Sequence, residues 1–599
     1  MHLRQAARIR RLIRGALALL LASTCATATR ADFPGWFPTQ RTPATLIRFG
    51  PAPPSAEPPL AYDMLVQSVA GLAAKAVNEQ RGEELVWVET GNADLQRWFD
   101  DLVGKTPAMQ HTSLRDPWEL VEHFRRRGLI QGFILYRLDR SAGEVNEYRE
   151  GMDCSVNIAT SLAGLLNGVL IDESLADEAR RRGLQQLIDV REQTQAWCFE
   201  TYKHRFNKRM LCAQDPRKPH VRDFAIAHHA LTMYGPAVNE EVMRFLEPLS
   251  PVVGWNGGDE FQTTRLSTIH GHIQTATDWC MNLPVLMAGA QNRKFETPAA
   301  FDPHSIDWSD RRSAVSFVCS DGDNVQWLQG SFFGNSSYWA NPDRGRIPFG
   351  WSGCFAHLCQ FCPSAIDYAW ESRKPNDSWI EWGGGYYYPD LFALERPQRW
   401  ESLTEHAHST WQLMQRTGTL IIGFNVWRPA SPDALRAYQT FAQQTEGLLA
   451  MFVFQYAPYE GGAGQVFWVK DRAGVDVPVV TARYSIWEHV NRRPRAGTPA
   501  RVAHEIAATV AAATEAAPRY DWVIDHAWSH FRPSPNDDDD AENLTSPDQE
   551  GQRGYSPVMW CAQRLPDTIR VVRPEELAWR IRMQHDPGVT RALIDRNLP

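Results

Sequence analysis

The run Trp379-Ile380-Glu381-Trp382-Gly383-Gly384-Gly385-Tyr386-Tyr387-Tyr388-Pro389-Asp390 is the stretch around which this chain is organised. It reads as a short apolar strand ending in a carboxylate, then three glycines, then three tyrosines held by a proline. Glycine tolerates positive φ and lets a ligand approach the backbone closely. Tyrosine offers a flat face with a polar tip, which suits a sugar ring better than a purely apolar ligand. On local chemistry alone, a strand running into a tight turn with ordinary aromatic packing is the plainer reading. A second stretch shifts the balance: Ser313-Ala314-Val315-Ser316-Phe317-Val318-Cys319-Ser320-Asp321-Gly322-Asp323-Asn324 is another buried-type strand that closes on carboxylates.

Working outward from these two strands, a regular pattern emerges. Short apolar runs recur at 314–320, 347–351, 379–382, 420–424, 449–455, 477–484, 522–526 and 569–572, with helical stretches at 399–416, 432–446 and 499–516. Ser431-Pro432 and Thr498-Pro499 each set a capping hydroxyl before a proline at the first helical position. Pro574-Glu575-Glu576 opens a last helix with acids at its positive end. Such alternation predicts an α/β fold whose C-terminal part, 301–599, is a distorted (β/α) barrel of seven or eight strands. Residues 461–476 read as a hairpin inserted before the sixth strand. Asp321, Asp323, Glu381, Asn425, Tyr456, Arg483 and His526 all fall at or just past the C-terminal ends of these runs, where such barrels build active sites.

Before 301 the pattern is less regular. Residues 32–59 are proline-rich and read as an extended strap. An amphipathic helix pattern runs from 61 through Leu65, Val69, Leu72 and Val77, followed by strands at 84–89 and 132–137 with a helix at 117–127 between them. This predicts a first small α/β domain over 32–143, a second over 144–214 and a third over 215–300. Within the third, Gly258-Asp259-Glu260 and Gly271-His272 read as turn residues at strand ends.

The 599 residues are 43% hydrophobic and 22% charged, the composition of a globular protein with ample core. Residues 1–31 read as a secretory leader, with arginines before a short apolar run and small residues after it. That run is too short to span a bilayer, no later segment is long and apolar enough to do so, and the expected location is the periplasm or the medium. The leader carries six arginines and no acid, so its removal takes the net charge from −8 to −14. A chain that acidic has no basic footprint for nucleic acid. Of ten cysteines nine lie beyond the leader, and in an oxidising compartment Cys198 with Cys212, or two of Cys354, Cys359 and Cys362, are candidates for pairing.

Gly383, Gly385, Tyr386, Tyr388 and Pro389 match the pattern Gly-x-Gly-Tyr-x-Tyr-Pro. With Ser320-Asp321-Gly322-Asp323-Asn324 and His526-Ala527-Trp528-Ser529, they make the chain resemble the bacterial GxGYxYP family, whose members are classed by similarity as glycoside hydrolases. The resemblance covers nearly everything after the leader. It implies a glycoside hydrolase acting on a polysaccharide or oligosaccharide.

Glycosidic hydrolysis needs two carboxyl groups flanking the bond. The supply at the predicted rim is Asp321 or Asp323 with Glu381, and Asp377 in reserve. For a sugar the binding candidates are Asn324, Trp351, Tyr386, Tyr388, Asn425, Arg483, His526 and Trp528; most of the other tryptophans belong in cores. No cofactor is implied. A metal-dependent polysaccharide deacetylase is the alternative enzyme, since Asp321 and Asp323 with His526 offer a ligand set. His406-Ala407-His408, at helical spacing two, puts its rings on different faces. Cys354, Cys359 and Cys362 with His357 lack the second paired motif of a zinc site. The acidic run 537–540 reads as a solvated loop. A carbohydrate-binding protein without catalysis is the third alternative.

Overall fold

The computed structural model describes residues 35–50, 59–141, 143–290, 293–455, 463–487, 494–513, 517–532 and 551–596. The leader expected at 1–31, Tyr456 and the acidic run 537–540 lie outside the described residues. The described chain is mixed α/β, with four sheets.

The first sheet has β1 (Thr45–Phe49) at its centre, flanked in parallel by β2 (Glu84–Val88) and β3 (Gln110–Leu114). This corrects the reading of 32–59 as a mere strap. The run is only five residues long and broken by Arg48, so its pattern is faint in the sequence, yet Leu46, Ile47 and Phe49 are all buried. In the second sheet β4 (Gly132–Tyr136) is central, between β5 (Gly168–Asp172) and β6 (Gln186–Asp189). Thus the strand at 132–136 joins the elements that follow it rather than those before it. A strand buried on both faces, as Gly-Phe-Ile-Leu-Tyr is, needs neighbours on both edges as well. The third sheet is parallel with the order β10-β9-β7-β8, built from β7 (Leu211–Ala213), β8 (Leu231–Met233), β9 (Pro251–Gly254) and β10 (Ile273–Thr275).

The helix Pro59–Asn78 is not amphipathic in its setting, because fifteen of its twenty residues are buried. It lies against the helix Arg222–Ala227 and strand β5. Gly71 makes the contact possible: a Cβ there would sit 2.7 Å from Asp223 O and from Ile226 Cβ. A helix that is apolar almost all round is an interior element, and this one forms the core shared by the first three sheets.

All eight apolar runs of the C-terminal part are strands. They are β11 (Ser313–Cys319), β12 (Phe349–Gly353), β13 (Asp377–Trp382), β14 (Ile421–Val426), β15 (Ala450–Gln455), β17 (Asp476–Thr481) with β18 (Tyr484–Ile486), β20 (Tyr520–Asp525) and β21 (Ile569–Val571). With β16 (Val466–Lys470) and β19 (Ala496–Gly497) they make one curled sheet of eleven strands, ordered β16-β17-β15-β14-β13-β12-β11-β20-β18-β19, with β21 on β11. Every pairing is parallel except β16 with β17, the inserted hairpin. Only Ala482 and Arg483 separate β17, which pairs with β15, from β18, which pairs with β20. The caps behave as their residues require: Ser431 Oγ accepts from Ala434 N–H at 3.1 Å, and Thr498 Oγ1 from Arg501 N–H at 3.3 Å.

No described helix is long and apolar enough to cross a membrane. The nine cysteines after the leader are all free. Cys354, Cys359 and Cys362 surround one short helix, Phe355–Phe361, and face different neighbours; Cys354 Sγ, for one, meets Trp382 O at 3.9 Å. The expected disulfides are therefore not made.

Candidate active site

The three glycines turn the chain sharply after β13. Gly383, Gly384 and Gly385 have φ of 56°, 77° and 125°, values that suit glycine alone when they come in succession. The room is as restricted as the dihedrals: a Cβ on Gly385 would lie 2.3 Å from Ile273 Cγ2 and 2.8 Å from His357 Cε1. The carbonyls of Gly383 and Gly384 are both taken up. His357 Nε2 donates to Gly384 O at 2.9 Å, His406 Nε2 to Gly383 O at 3.1 Å, and Tyr387 OH to Gly383 O at 2.8 Å. Burial lowers the pKa of both imidazoles to about 3, so they are neutral donors. His406, considered above for a metal, is thus a brace for the loop.

The turn delivers Tyr386 onto a different sheet. Its backbone exchanges two hydrogen bonds of 3.1 Å with Gln274 in β10. Its hydroxyl donates to the Glu260 carboxylate, and Tyr388 OH lies 2.8 Å from Thr264 Oγ1. Glu260 opens the helix Glu260–Ile269, behind the cap Asp259, where the helix N-terminus favours an anion. As a residue Glu260 is exposed, while its carboxylate end is tucked against Tyr386.

Two more carboxylates come from the end of β11. Asp321 takes a left-handed φ of 62°. It accepts from Trp528 Nε1 at 2.8 Å and from Ser320 Oγ, whose oxygen in turn accepts from Ala527 N–H at 3.2 Å. Gly322 lets β11 turn tightly against β12, since a Cβ there would sit 2.6 Å from Gly353 N. Asp323 is half-buried, and a bond from its own backbone N–H favours its ionised form. Desolvation first, then the charges of Asp321 and Glu260, hold its carboxyl well above the usual range. Glu260 is also raised, by desolvation and then by Asp321, against the lowering effect of the Tyr386 hydroxyl. Three carboxyl groups from two sheets therefore act on one another at one place.

A fourth, Asp525 at the end of β20, is buried opposite Cys319 with both oxygens unpartnered among the described residues. Burial and Asp321 push it well above the usual range too. Aromatic rings line the same region. Trp255 stacks on Tyr386 (6.3 Å between centroids), Phe261 stacks on Trp427 (4.1 Å), and Trp255, Phe261, Trp427 and Trp528 are all half-buried. Asn425, on β14, is buried with its side-chain oxygen unpartnered among the described residues.

Several residues expected here are elsewhere. Glu381 is fully buried; its Oε2 accepts from Ala356 N–H at 2.9 Å and its Oε1 from Gly384 N–H at 3.2 Å. It anchors the helix Phe355–Phe361 and the glycine turn, because its side chain leaves β13 on the face toward that helix. Asp377 sits at the opposite end of β13, ion-paired with Arg344 and bound to Trp351 Nε1 at 3.1 Å. Trp351 is fully buried among Phe349, Trp339 and Tyr555. Asn324 caps the helix Val325–Gly330. Arg483 pairs with Asp521 at 2.5 Å. His526 packs at a tilt against Trp487 (4.8 Å between centroids) and meets Ser529 Oγ at 2.9 Å, and no three His, Cys, Asp or Glu side chains among the described residues could hold a metal ion. The rim pattern found strand ends but not which face each side chain takes. Glu260 was missed because it lies outside the regular part of the chain; its one signal was an acid pair at a helix start.

Residues 312–532 match the GxGYxYP putative glycoside hydrolase C-terminal domain, 130–206 the GxGYxYP_N second domain, and 207–288 the GxGYxYP third domain. A crystal structure described as a putative hydrolase from Bacteroides thetaiotaomicron VPI-5482 superposes with a TM-score of 0.73 at 21% identity, over 93% of this chain and 98% of that one. That likeness shows a shared fold. A domain of unknown function from Bordetella bronchiseptica aligns at 11% identity over 73% of this chain and 93% of that one, with a TM-score of 0.13 that carries no argument. No curated protein matches the sequence. With three domain models matched in order from 130 to 532, the chain belongs to the GxGYxYP putative glycoside hydrolase family.

Proposed function

We propose that this protein is a glycoside hydrolase whose two working carboxyl groups are Asp323 and Glu260. The observation that carries the reading is the reach of Glu260 from the third domain to Tyr386, beside Asp321 and Asp323. Asp323, whose protonated form is favoured by desolvation and by the neighbouring Asp321 and Glu260, gives its proton to the glycosidic oxygen as the C–O bond breaks. Glu260, whose ionised form the Tyr386 hydroxyl favours, acts on the anomeric carbon directly or through a water. Asp321, fixed by Trp528 and Ser320, stands beside both and raises the pKa of each. Trp255, Phe261 and Trp427 supply ring faces for a sugar.

The same reading places the site at the rim of a closed barrel. Strands β17 and β18 support closure, since β17 pairs with β15 and β18 with β20, so the short link Ala482-Arg483 joins the two sides of the sheet. The barrel then has seven members with β21 as a short eighth. The leader read in the sequence makes the substrate an extracellular or periplasmic saccharide.

The test is Asp323→Asn and Glu260→Gln, assayed for release of reducing ends on polysaccharides that the parent protein cleaves. Each should slow turnover by about 10²–10⁴-fold, the usual worth of a general acid or base, while saccharide binding persists. An aryl glycoside with a good leaving group should restore much of the rate to Asp323→Asn and little to Glu260→Gln, because such a leaving group needs no proton. Parental rates in both variants, or release of acetate in place of reducing ends, would overturn the assignment.

A further inference from the structure

A groove of about 570 Å³ runs along the outer side of the helix Glu260–Ile269. Its volume falls within the roughly 300–1,000 Å³ of small-molecule sites. Helical spacing divides this helix between two tasks. Glu260 and Thr264, one turn apart, face Tyr386 and Tyr388, while Gln262, Thr263 and Leu266 line the groove. The loop before the helix belongs to both: Trp255 stacks on Tyr386, Asn256 to Asp259 form the groove's end, and Glu260 returns to the carboxylates.

The loop before the helix is held close to the turn at Gly235. Asn256 clamps it to Gly235 through bonds of 2.7 Å and 3.2 Å. A Cβ on Gly257 would strike Tyr234 OH at 2.5 Å, and Gly258, at φ 115°, has nothing within 4 Å of a would-be Cβ. Gly257 and Gly258 thus give backbone alone to this end of the groove. Across from the helix stands the half-buried ring of Tyr148. Asp259, Gln262 and Arg265 provide both hydrogen-bond signs along the rim, and Tyr148 and Leu266 an apolar floor. A sugar ring has that division, with C–H groups on its faces and hydroxyls at its edge. Acid and base together on the rim give no preference for a polyanion.

We infer that this groove holds the saccharide chain beyond the sugar unit at the carboxylates, so that the third domain sets the preferred length of substrate. The inference rests on the glycosidase reading above. It is tested with the full chain on short and long members of β-glucan, xylan, mannan and galactan oligosaccharide ladders. The parent protein should gain in kcat/KM with length. Gln262→Ala with Arg265→Ala should lose about tenfold on long chains, what one or two hydrogen bonds amount to, through KM, and nothing on short ones. Gln262→Trp, at an exposed position, should fill the groove and give the same loss, with unfolding midpoints checking that both variants fold. Hydrolysis whose length dependence these variants leave unchanged overturns the groove and spares the glycosidase. Absence of any saccharide turnover or binding by the parent protein overturns both.

Discussion

Glu381→Gln separates a structural carboxyl from a catalytic one. Burial raises the Glu381 pKa from 4.5 to about 8, against the lowering effect of backbone donors including Ala356 and Gly384. Between those values the unfolded chain has released a proton that the folded chain keeps. The stability this gives is therefore complete below about pH 4.5 and lost progressively as pH rises to about 8. At about 1.4 kcal/mol for each pH unit, the loss across the window is at most about 5 kcal/mol. Glutamine has no proton to release, so this slope disappears. It does, however, set an NH₂ group against one of the two backbone donors, which costs about 1–3 kcal/mol at every pH. The variant should be the less stable protein at about pH 5 and equal or more stable at about pH 8. Denaturant unfolding followed by tryptophan fluorescence measures both, and turnover on the same samples should stay parental. A stability difference that ignores pH, or intact stability with turnover lost by orders of magnitude, would refute the reasoning and return Glu381 to catalysis.

Tyr386→Phe removes the hydrogen bond that favours ionised Glu260, so the Glu260 pKa should climb further. The acidic limb of the kcat/KM profile should then move to higher pH, and an unmoved limb would show that Glu260 is not the group being titrated. Asp377→Asn breaks a buried pair with Arg344 and should cost about 3–5 kcal/mol in unfolding experiments. The protein that remains folded should keep parental turnover per mole, and a loss confined to turnover would make Asp377 catalytic after all.

What the sequence disclosed and what it hid follow one physical rule. Periodicity and capping residues report local geometry, so all eight C-terminal strands and the caps at Ser431 and Thr498 were legible. Which face a strand-end side chain takes depends on the twist and on what packs there. Hence Asp323 reaches the site, while Glu381, at an equivalent strand end, turns away to hold the helix Phe355–Phe361. Trp351 and Arg483 went the same way, each to a buried neighbour. Strand β1 was hidden because five residues carry too little pattern, and strand 132–136 was misgrouped because pairing partners are not encoded by proximity along the chain. Glu260 shows the limit most clearly. Nothing in Gly258-Asp259-Glu260 tells that a tyrosine more than a hundred residues later will donate to that carboxylate.

The exchange of hydrogen bonds between Tyr386 and Gln274 bears on how this activity can be inherited or engineered. A fragment starting at 301 would retain every strand of the large sheet, Asp321, Asp323 and the tyrosines, and would look complete by its topology. If the proposed pair of carboxyl groups does the chemistry, it would nonetheless be half a catalyst, since Glu260 and Trp255 travel with the preceding sheet. On the proposed reading, recombination or truncation between them would separate Asp323 from Glu260. Selection for turnover would then be selection on the seam where β10 meets the glycine turn, and substitutions along that seam would surface as kinetic defects in proteins that fold normally.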